Sequence, residues 1–176
     1  MAGFGGYGRY RSTALLTGCV LAGAAVALVS PSHASAAELS CTARPGVDTV
    51  VVDGTAACGS TVDEFSRALA HALDAVSFAR ADAGGSALSV ARSGGVAAAE
   101  TTAGTVGAVS IGGDSVSIVS PDPGALAFAL SLTRGQTFVG TVAEGVSCQA
   151  GAGFAVNLST GQICVSDGST TWTSMP

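Results

Sequence analysis

VSFARADAGG (residues 76–85) is followed at once by SALSVARSGG (residues 86–95). Each decapeptide is a short alternating run closed by Gly-Gly, and similar runs ending in glycine follow over 96–104, 105–113, 114–124, 125–135 and 136–145. Alternation sends successive side chains to opposite faces of a strand, and glycine at a boundary allows the positive φ of a sharp corner. Short strands recurring about every ten residues predict a mainly β domain.

Two architectures use such strands. An antiparallel sandwich or barrel would connect them as a meander, whereas a β-solenoid or β-roll would stack them, each pairing with its equivalent one coil later. Ala, Gly, Ser and Val dominate the runs, and the whole chain holds only six Phe, two Tyr and one Trp. Small side chains suit a thin solenoid core better than a sandwich about 10 Å thick, so the solenoid is the expected fold and the antiparallel sandwich or barrel the alternative. Within it the larger residues are expected to face inward: Val116 and Ile118, then Leu126, Phe128, Leu130 and Leu132, then Phe138 and Val142. Ala127 and Ala129 would face solvent, and Gly113 and Gly135 would carry positive φ.

Before the repeat, Thr61-Val-Asp-Glu64 reads as a capping box, and Phe65, Leu69, Leu73 and Val76 recur at helical spacing. This predicts one short helix over 61–75. Its other face would carry Arg67, His71 and Asp74.

The chain begins with the pattern of an export signal. Arg9 and Arg11 precede an uncharged apolar stretch from Thr13 to Val29, Pro31 breaks it, and Ala34-Ser35-Ala36 is a small-residue cleavage site. The expected organisation is a signal peptide over 1–36 and one domain over 37–176: a disulfide loop (37–60), the helix (61–75), the β repeats (76–145) and a disulfide-tied hairpin (146–176). Two alternatives keep the chain on a membrane, an uncleaved signal anchor or a lipid on Cys19 in the lipobox-like Leu16-Thr17-Gly18-Cys19. With cleavage, no membrane insertion is expected.

Export into an oxidising compartment makes disulfides of Cys41, Cys58, Cys148 and Cys164. Four cysteines allow three connectivities, and the local one, Cys41–Cys58 with Cys148–Cys164, is favoured because each pair brackets a plausible turn. The two loops would then cap the open ends of the solenoid, Thr49 to Val52 at one and the strands Phe154 to Leu158 and Gln162 to Val165 at the other. Zinc lacks a ligand set, since no C-x-x-C occurs and no histidine lies near a cysteine.

Charge narrows the partners. The whole chain is formally −5. From Ala37 onward five arginines stand against twelve acidic residues, and no lysine occurs anywhere. Such a surface repels nucleic acid and anionic lipid headgroups.

Catalytic motifs are missing from the sequence: no G-x-S-x-G, S-x-x-K or H-E-x-x-H is present. His71, with Arg67 and Asp74 at helical spacing, is the one candidate for a general base and its orienting carboxylate, and a solvated helix face accounts for the three more simply. Asp53, Asp114, Asp122 and Asp167 are the acids a calcium site would draw on, and their glycine and proline neighbours already explain them as turn residues. Asn157-Leu158-Ser159 matches a glycosylation acceptor by pattern only. No cofactor and no catalytic residue is assigned.

Cys41-Thr-Ala-Arg-Pro-Gly-Val-Asp48, Val52-Asp-Gly-Thr-Ala-Ala-Cys58-Gly59, the Ala/Gly/Ser repeat and the closing Cys148…Gly161-Gln-Ile-Cys164 together resemble a family of small exported actinobacterial proteins of unknown function. The resemblance implies secretion and no assigned activity. More loosely, Gly85-Ser-Ala-Leu-Ser-Val-Ala91 looks like the β-roll heads of trimeric autotransporter adhesins. The function expected is therefore that of a secreted or cell-envelope structural or binding protein, contacting a protein or glycan of the envelope or copies of itself. The alternatives are an envelope-associated hydrolase using His71 and a small secreted inhibitor presenting a disulfide-braced loop.

Overall fold

A computed structural model describes residues 36–174. The expected export signal, its expected cleavage motif up to Ser35, and Cys19 lie outside the described residues. Residues 36–176 form one compact unit, and its described part is all β. The strands are β1 (Glu38–Thr42), β2 (Thr49–Asp53), β3 (Ala56–Val62), β4 (Arg67–Leu73), β5 (Val76–Asp82), β6 (Ser86–Arg92), β7 (Val96–Thr102) and β8 (Thr105–Ile111). They continue as β9 (Val116–Val119), β10 (Leu126–Ser131), β11 (Gln136–Val139), β12 (Val146–Gln149), β13 (Ala152–Asn157), β14 (Gln162–Asp167) and β15 (Thr171–Thr173).

Consecutive strands of the repeat alternate between two sheets. The 8-stranded sheet runs β1-β4-β6-β8-β10-β13-β14-β15, and the 7-stranded sheet runs β12-β11-β9-β7-β5-β3-β2. Within the repeat every pairing is parallel: β4 to β6 to β8 to β10 in one sheet, β3 to β5 to β7 to β9 to β11 in the other. The chain thus winds as a solenoid of about four turns. The ten-residue unit is half a coil. Val76, Val96, Val116 and Gln136 stand side by side in register, two units apart, while Phe78 and Leu88 occupy equivalent positions on opposite sheets.

The expected direction of the side chains is overturned. Small residues face inward: Ala68, Ala70 and Ala72, then Ala87, Ser89 and Ala91, then Ala127, Ala129 and Ser131 in the larger sheet, with Ser77, Ala79, Ala81, Ala97 and Ala99 opposite them. The bulkiest fully buried residues described are Val119, Val139, Asn157, Cys41, Cys58 and Cys164. Leu126, Ile118, Leu132 and Val142 are exposed, and Val116, Phe128, Leu130 and Phe138 are half-buried on the outer faces. Serine hydroxyls cross the gap between the sheets. Ser77 Oγ donates to the Ser89 carbonyl at 2.9 Å, Ser89 Oγ to the Ala97 carbonyl at 2.9 Å, and Ser117 Oγ to the Val109 carbonyl at 2.6 Å. Bonds this short leave no room between the layers for leucine or phenylalanine.

Corners are made by a division of labour between neighbouring residues. In Asp82-Ala83-Gly84-Gly85 the two central residues have φ of 54° and 82°, and Gly85 N donates to the Asp82 carbonyl at 3.0 Å, which closes a type I′ turn. Gly85 serves space and not φ, because a Cβ there would meet Thr101 Cγ2 at 2.9 Å. Gly113 has the expected positive φ of 58°. One coil later that role falls to Arg134 (φ 60°), and Gly135 is needed because a Cβ would lie 2.0 Å from the Ala152 carbonyl oxygen.

The short helix expected over 61–75 does not form. Residues up to Val62 complete β3, the chain turns, and β4 begins at Arg67. Its apparent helical spacing came from Leu69 and Leu73, which lie on one strand face at even separation, and from Phe65, an exposed corner residue. Asp63, in the supposed capping box, instead ties two corners: its carboxylate accepts from Phe65 N at 3.1 Å and from Ala83 N of the next coil.

Each end of the solenoid is closed in two ways. Pairing turns antiparallel, with β1 on β4 and β2 on β3 at one end, and β12 on β11 and the β13–β14–β15 meander on β10 at the other. A disulfide then ties sheet to sheet. Cys41 of β1 bonds Cys58 of β3 with Cα atoms 5.8 Å apart, and Cys148 of β12 bonds Cys164 of β14 with Cα atoms 5.9 Å apart. Loops of this separation contribute on the order of 3 kcal/mol each by restricting the unfolded chain.

Two outcomes test this account. Ala129→Leu, forcing bulk into the gap, is expected to cost at least about 1–3 kcal/mol, whereas Phe128→Ala, on the outer face, should lose well under the roughly 3–5 kcal/mol of a buried phenylalanine; urea midpoints rank the two. Hydrogen bonds from the Ser66 hydroxyl, then from backbone amides including Ala83 N, hold Asp63 below its ordinary pKa of 3.8. Its stabilising effect is therefore full above that value and is lost as pH falls through the lower folded-state pKa. Asp63→Asn should flatten the acid limb of a stability–pH curve below about pH 4 relative to the wild type.

Candidate binding surface

The strand geometry separates the residues that helical spacing had grouped. Arg67 opens β4, His71 lies on its outer face, and Asp74 sits past its end at φ 47°, where its carboxylate accepts from the Thr55 hydroxyl. At about 3.3 Å per residue, Arg67 and His71 are roughly 13 Å apart along the strand. His71 Nε2 instead lies 3.5 Å from Glu38 Oε1 on β1, both side chains reaching solvent. The side chains beside His71 on the neighbouring strands are Ser40 and Val90.

The acids are spread along the coils in the same way. Asp53 ends β2 and Asp114 sits at φ 63° in the corner after β8. Asp122 Oδ2 accepts from Val142 N at 2.6 Å, and Asp167 Oδ1 accepts from Ser169 N and Thr170 N at 2.8 Å each. Hydrogen bonds from Thr170 N, then from Ser169, hold Asp167 below its ordinary pKa, and those from Thr141 do the same for Glu144. Asp167 and Glu144 thus stabilise their own turns, whereas Asp122 ties its corner to the turn one coil later. Among the described residues no group of three or more His, Cys, Asp or Glu is placed to hold a metal ion. Asn157 is almost wholly buried, its Oδ1 accepting from Ser159 N at 3.1 Å, so the glycosylation pattern falls on an inaccessible amide.

Among the described residues, four clefts open to solvent stand out, and His71 lines none of these four. One of them, about 400 Å³, is an apolar groove along the larger sheet where β4, β6 and β8 begin, bordered by Arg67, Leu69, Leu88 and Val106. A second, about 250 Å³, is polar and lies beside the Arg80–Asp82 ion pair (3.0 Å) and Glu100.

The groove is the margin of a wider feature. Because the small residues fill the core, the larger apolar ones form columns on the outside. On the larger sheet one column is Leu69, Leu88, Phe128 and Val156, with the Phe128 ring lying over Gly107, where an added Cβ would come 2.9 Å from it. The next is Val90, Val109, Leu130, Phe154, Val165 and Trp172, with His71 at its β4 end. Leu88 is 41% exposed, Val165 43% and Trp172 58%. The smaller sheet carries a narrower set, Val76, Val96 and Val116 beside Phe78, Ala98, Ile118 and Phe138, flanked by the charged Arg80 and Glu100.

Sequence reasoning missed this surface by assigning large residues to the core. A signal against that assignment was present. Arg80 shares its strand parity with Phe78, and Arg92 shares its own with Leu88 and Val90, so those positions had to face water. The residues between them are uniformly Ala and Ser.

Comparison with known proteins places residues 8–167 in a match to a family described as a family of unknown function (DUF6764). No curated protein and no solved structure matches the chain.

If His71 is a sheet-face residue with one exposed contact to Glu38, His71→Ala should shift stability by no more than about 0.5 kcal/mol, the range usual for surface substitutions. A thermal or urea midpoint measures it.

Proposed function

We propose that this chain, which belongs to the DUF6764 family of unknown function, is an exported, non-catalytic binding or structural protein of the cell envelope. The observation that carries the reading is the outer face of the larger sheet, where apolar columns run side by side over a parallel, disulfide-closed scaffold. Exposed apolar patches of this extent on a folded protein mark interaction sites. A scaffold tied sheet to sheet at both ends holds such a surface rigid, which lowers the ordering cost of binding. Two disulfides are compatible with an extracellular location. Net negative charge argues for a protein or glycan partner over nucleic acid or an anionic membrane surface.

The hydrolase alternative has less support. A general base acts from within a site where polar groups converge, and His71 stands on an open sheet face with Glu38 as its polar neighbour. The inhibitor alternative draws on the exposed Arg44-Pro45-Gly46-Val47 turn, three residues beyond Cys41, in which Val47 N donates to the Arg44 carbonyl at 2.9 Å.

In the host, intact-mass measurement of envelope and medium fractions should find a chain starting at or near Ala37. In a strain lacking the protein, any envelope defect should be restored by wild type and by His71→Ala, but not by Leu88→Glu. Rescue by Leu88→Glu with failure of His71→Ala would replace this reading with the enzymatic one.

A further inference from the structure

We propose that the outer face of the larger sheet is a self-association surface on which a second copy of this chain stacks face to face about a two-fold axis. The proposal rests on the binding reading above and names the occupant.

Extent comes first. Eight strands at about 4.8 Å span roughly 34 Å, and strands of up to seven residues run about 20 Å, so the face offers on the order of 700 Å² per copy. Stacking two such faces would bury about 1,400 Å², within the size of a stable specific interface. The smaller sheet offers less, because the Arg80 and Glu100 column crosses its outer face.

Charge selects the occupant. An anionic membrane would also cover an apolar face, but a chain with formal net charge −5 and no lysine is repelled by it. A second copy meets complementary charge at the rim. Arg92 ends β6 and Asp167 ends β14, both exposed and both on the outer face. β6, β8 and β10 are parallel, β13 is antiparallel to β10 and β14 antiparallel to β13, so β6 and β14 point the same way. Arg92 and Asp167 therefore lie along the same rim, on opposite sides of the midline between β8 and β10. A two-fold axis along that midline keeps strand direction and reverses strand order. It lays Arg92 of each copy over the β13–β14 end that carries Asp167 of the other, and it brings the two contacts about together with the apolar columns. Such an arrangement is isologous and closes at two copies.

Sedimentation equilibrium of the oxidised 37–176 chain, the compact unit described above, tests this from low micromolar to hundred-micromolar concentration. A monomer–dimer equilibrium is expected, with Trp172 emission moving to shorter wavelength as the dimer forms. Leu88→Glu should weaken dimerisation by about tenfold or more. Arg92→Glu, at a solvent-exposed strand end that leaves the fold intact, should weaken it several-fold and remove most of its salt dependence. Ile118→Glu, on the other sheet, should change it by less than about twofold. A wild-type chain that stays monomeric throughout overturns the proposal, as does a dimer weakened equally by Ile118→Glu and Leu88→Glu. A monomer whose Leu88→Glu variant still fails to complement would remove the self-association and leave the binding reading standing. A dimer whose Leu88→Glu variant complements would do the reverse.

Discussion

The distance between the two sheets governs the rest of the molecule. At each end a disulfide links residues of opposite sheets whose Cα atoms stand 5.8 or 5.9 Å apart. Ordinary packed sheets stand about 10 Å apart. In the interior the same narrowness shows in hydroxyls of one layer that reach the carbonyls of the other, as from Ser77 to Ser89 at 2.9 Å. A gap of that size accepts alanine and serine, and serine earns its place by bonding across it, since a buried hydroxyl without a partner is costly. Ser117, Ser131 and Thr137 extend this into a small buried cluster, with Ser117 Oγ and Ser131 Oγ 2.7 Å apart.

A thin core has a cost elsewhere. Alanine buries little apolar area, so each coil gains modestly from the hydrophobic effect and relies on parallel ladders, on corner turns and on end closure. The cysteines act where that reliance is greatest, because the terminal coils have a neighbour on one side only. Antiparallel end strands pair the last repeat strands, and the disulfides keep the two layers from separating there.

The other consequence lies outside. With the interior closed to bulk, Leu69, Leu88, Val90, Leu130 and Phe154 are carried on the solvent side, in columns set by the parallel register. Aromatic rings settle over glycines, as Phe78 does over Gly59 and Phe128 over Gly107, which smooths the outer face and covers exposed backbone. The geometry that excludes large residues from the core thereby builds a broad apolar surface, and a surface of that kind is the feature through which the molecule can meet a partner.

Period and chemistry were legible in the chain itself. Glycine-ended runs of about ten residues, poor in aromatics, pointed to a solenoid of small coils, because turn residues and alternation act locally and leave their mark in order along the sequence. The helix expected over 61–75 gives way to a strand for a related reason: Leu69 and Leu73 satisfy a helical and a strand face alike, and the ladder with β6 decides between them. Which face is interior was decided only by the tertiary structure. Alternation states that two faces differ, but the choice between them follows from how closely the opposite sheet approaches, a distance set by residues such as Cys41 and Cys58 that lie seventeen apart in sequence and join separate layers. That closeness turned large residues expected in the core into the surface, while the extended strand set His71, Arg67 and Asp74 apart along β4 and its corner.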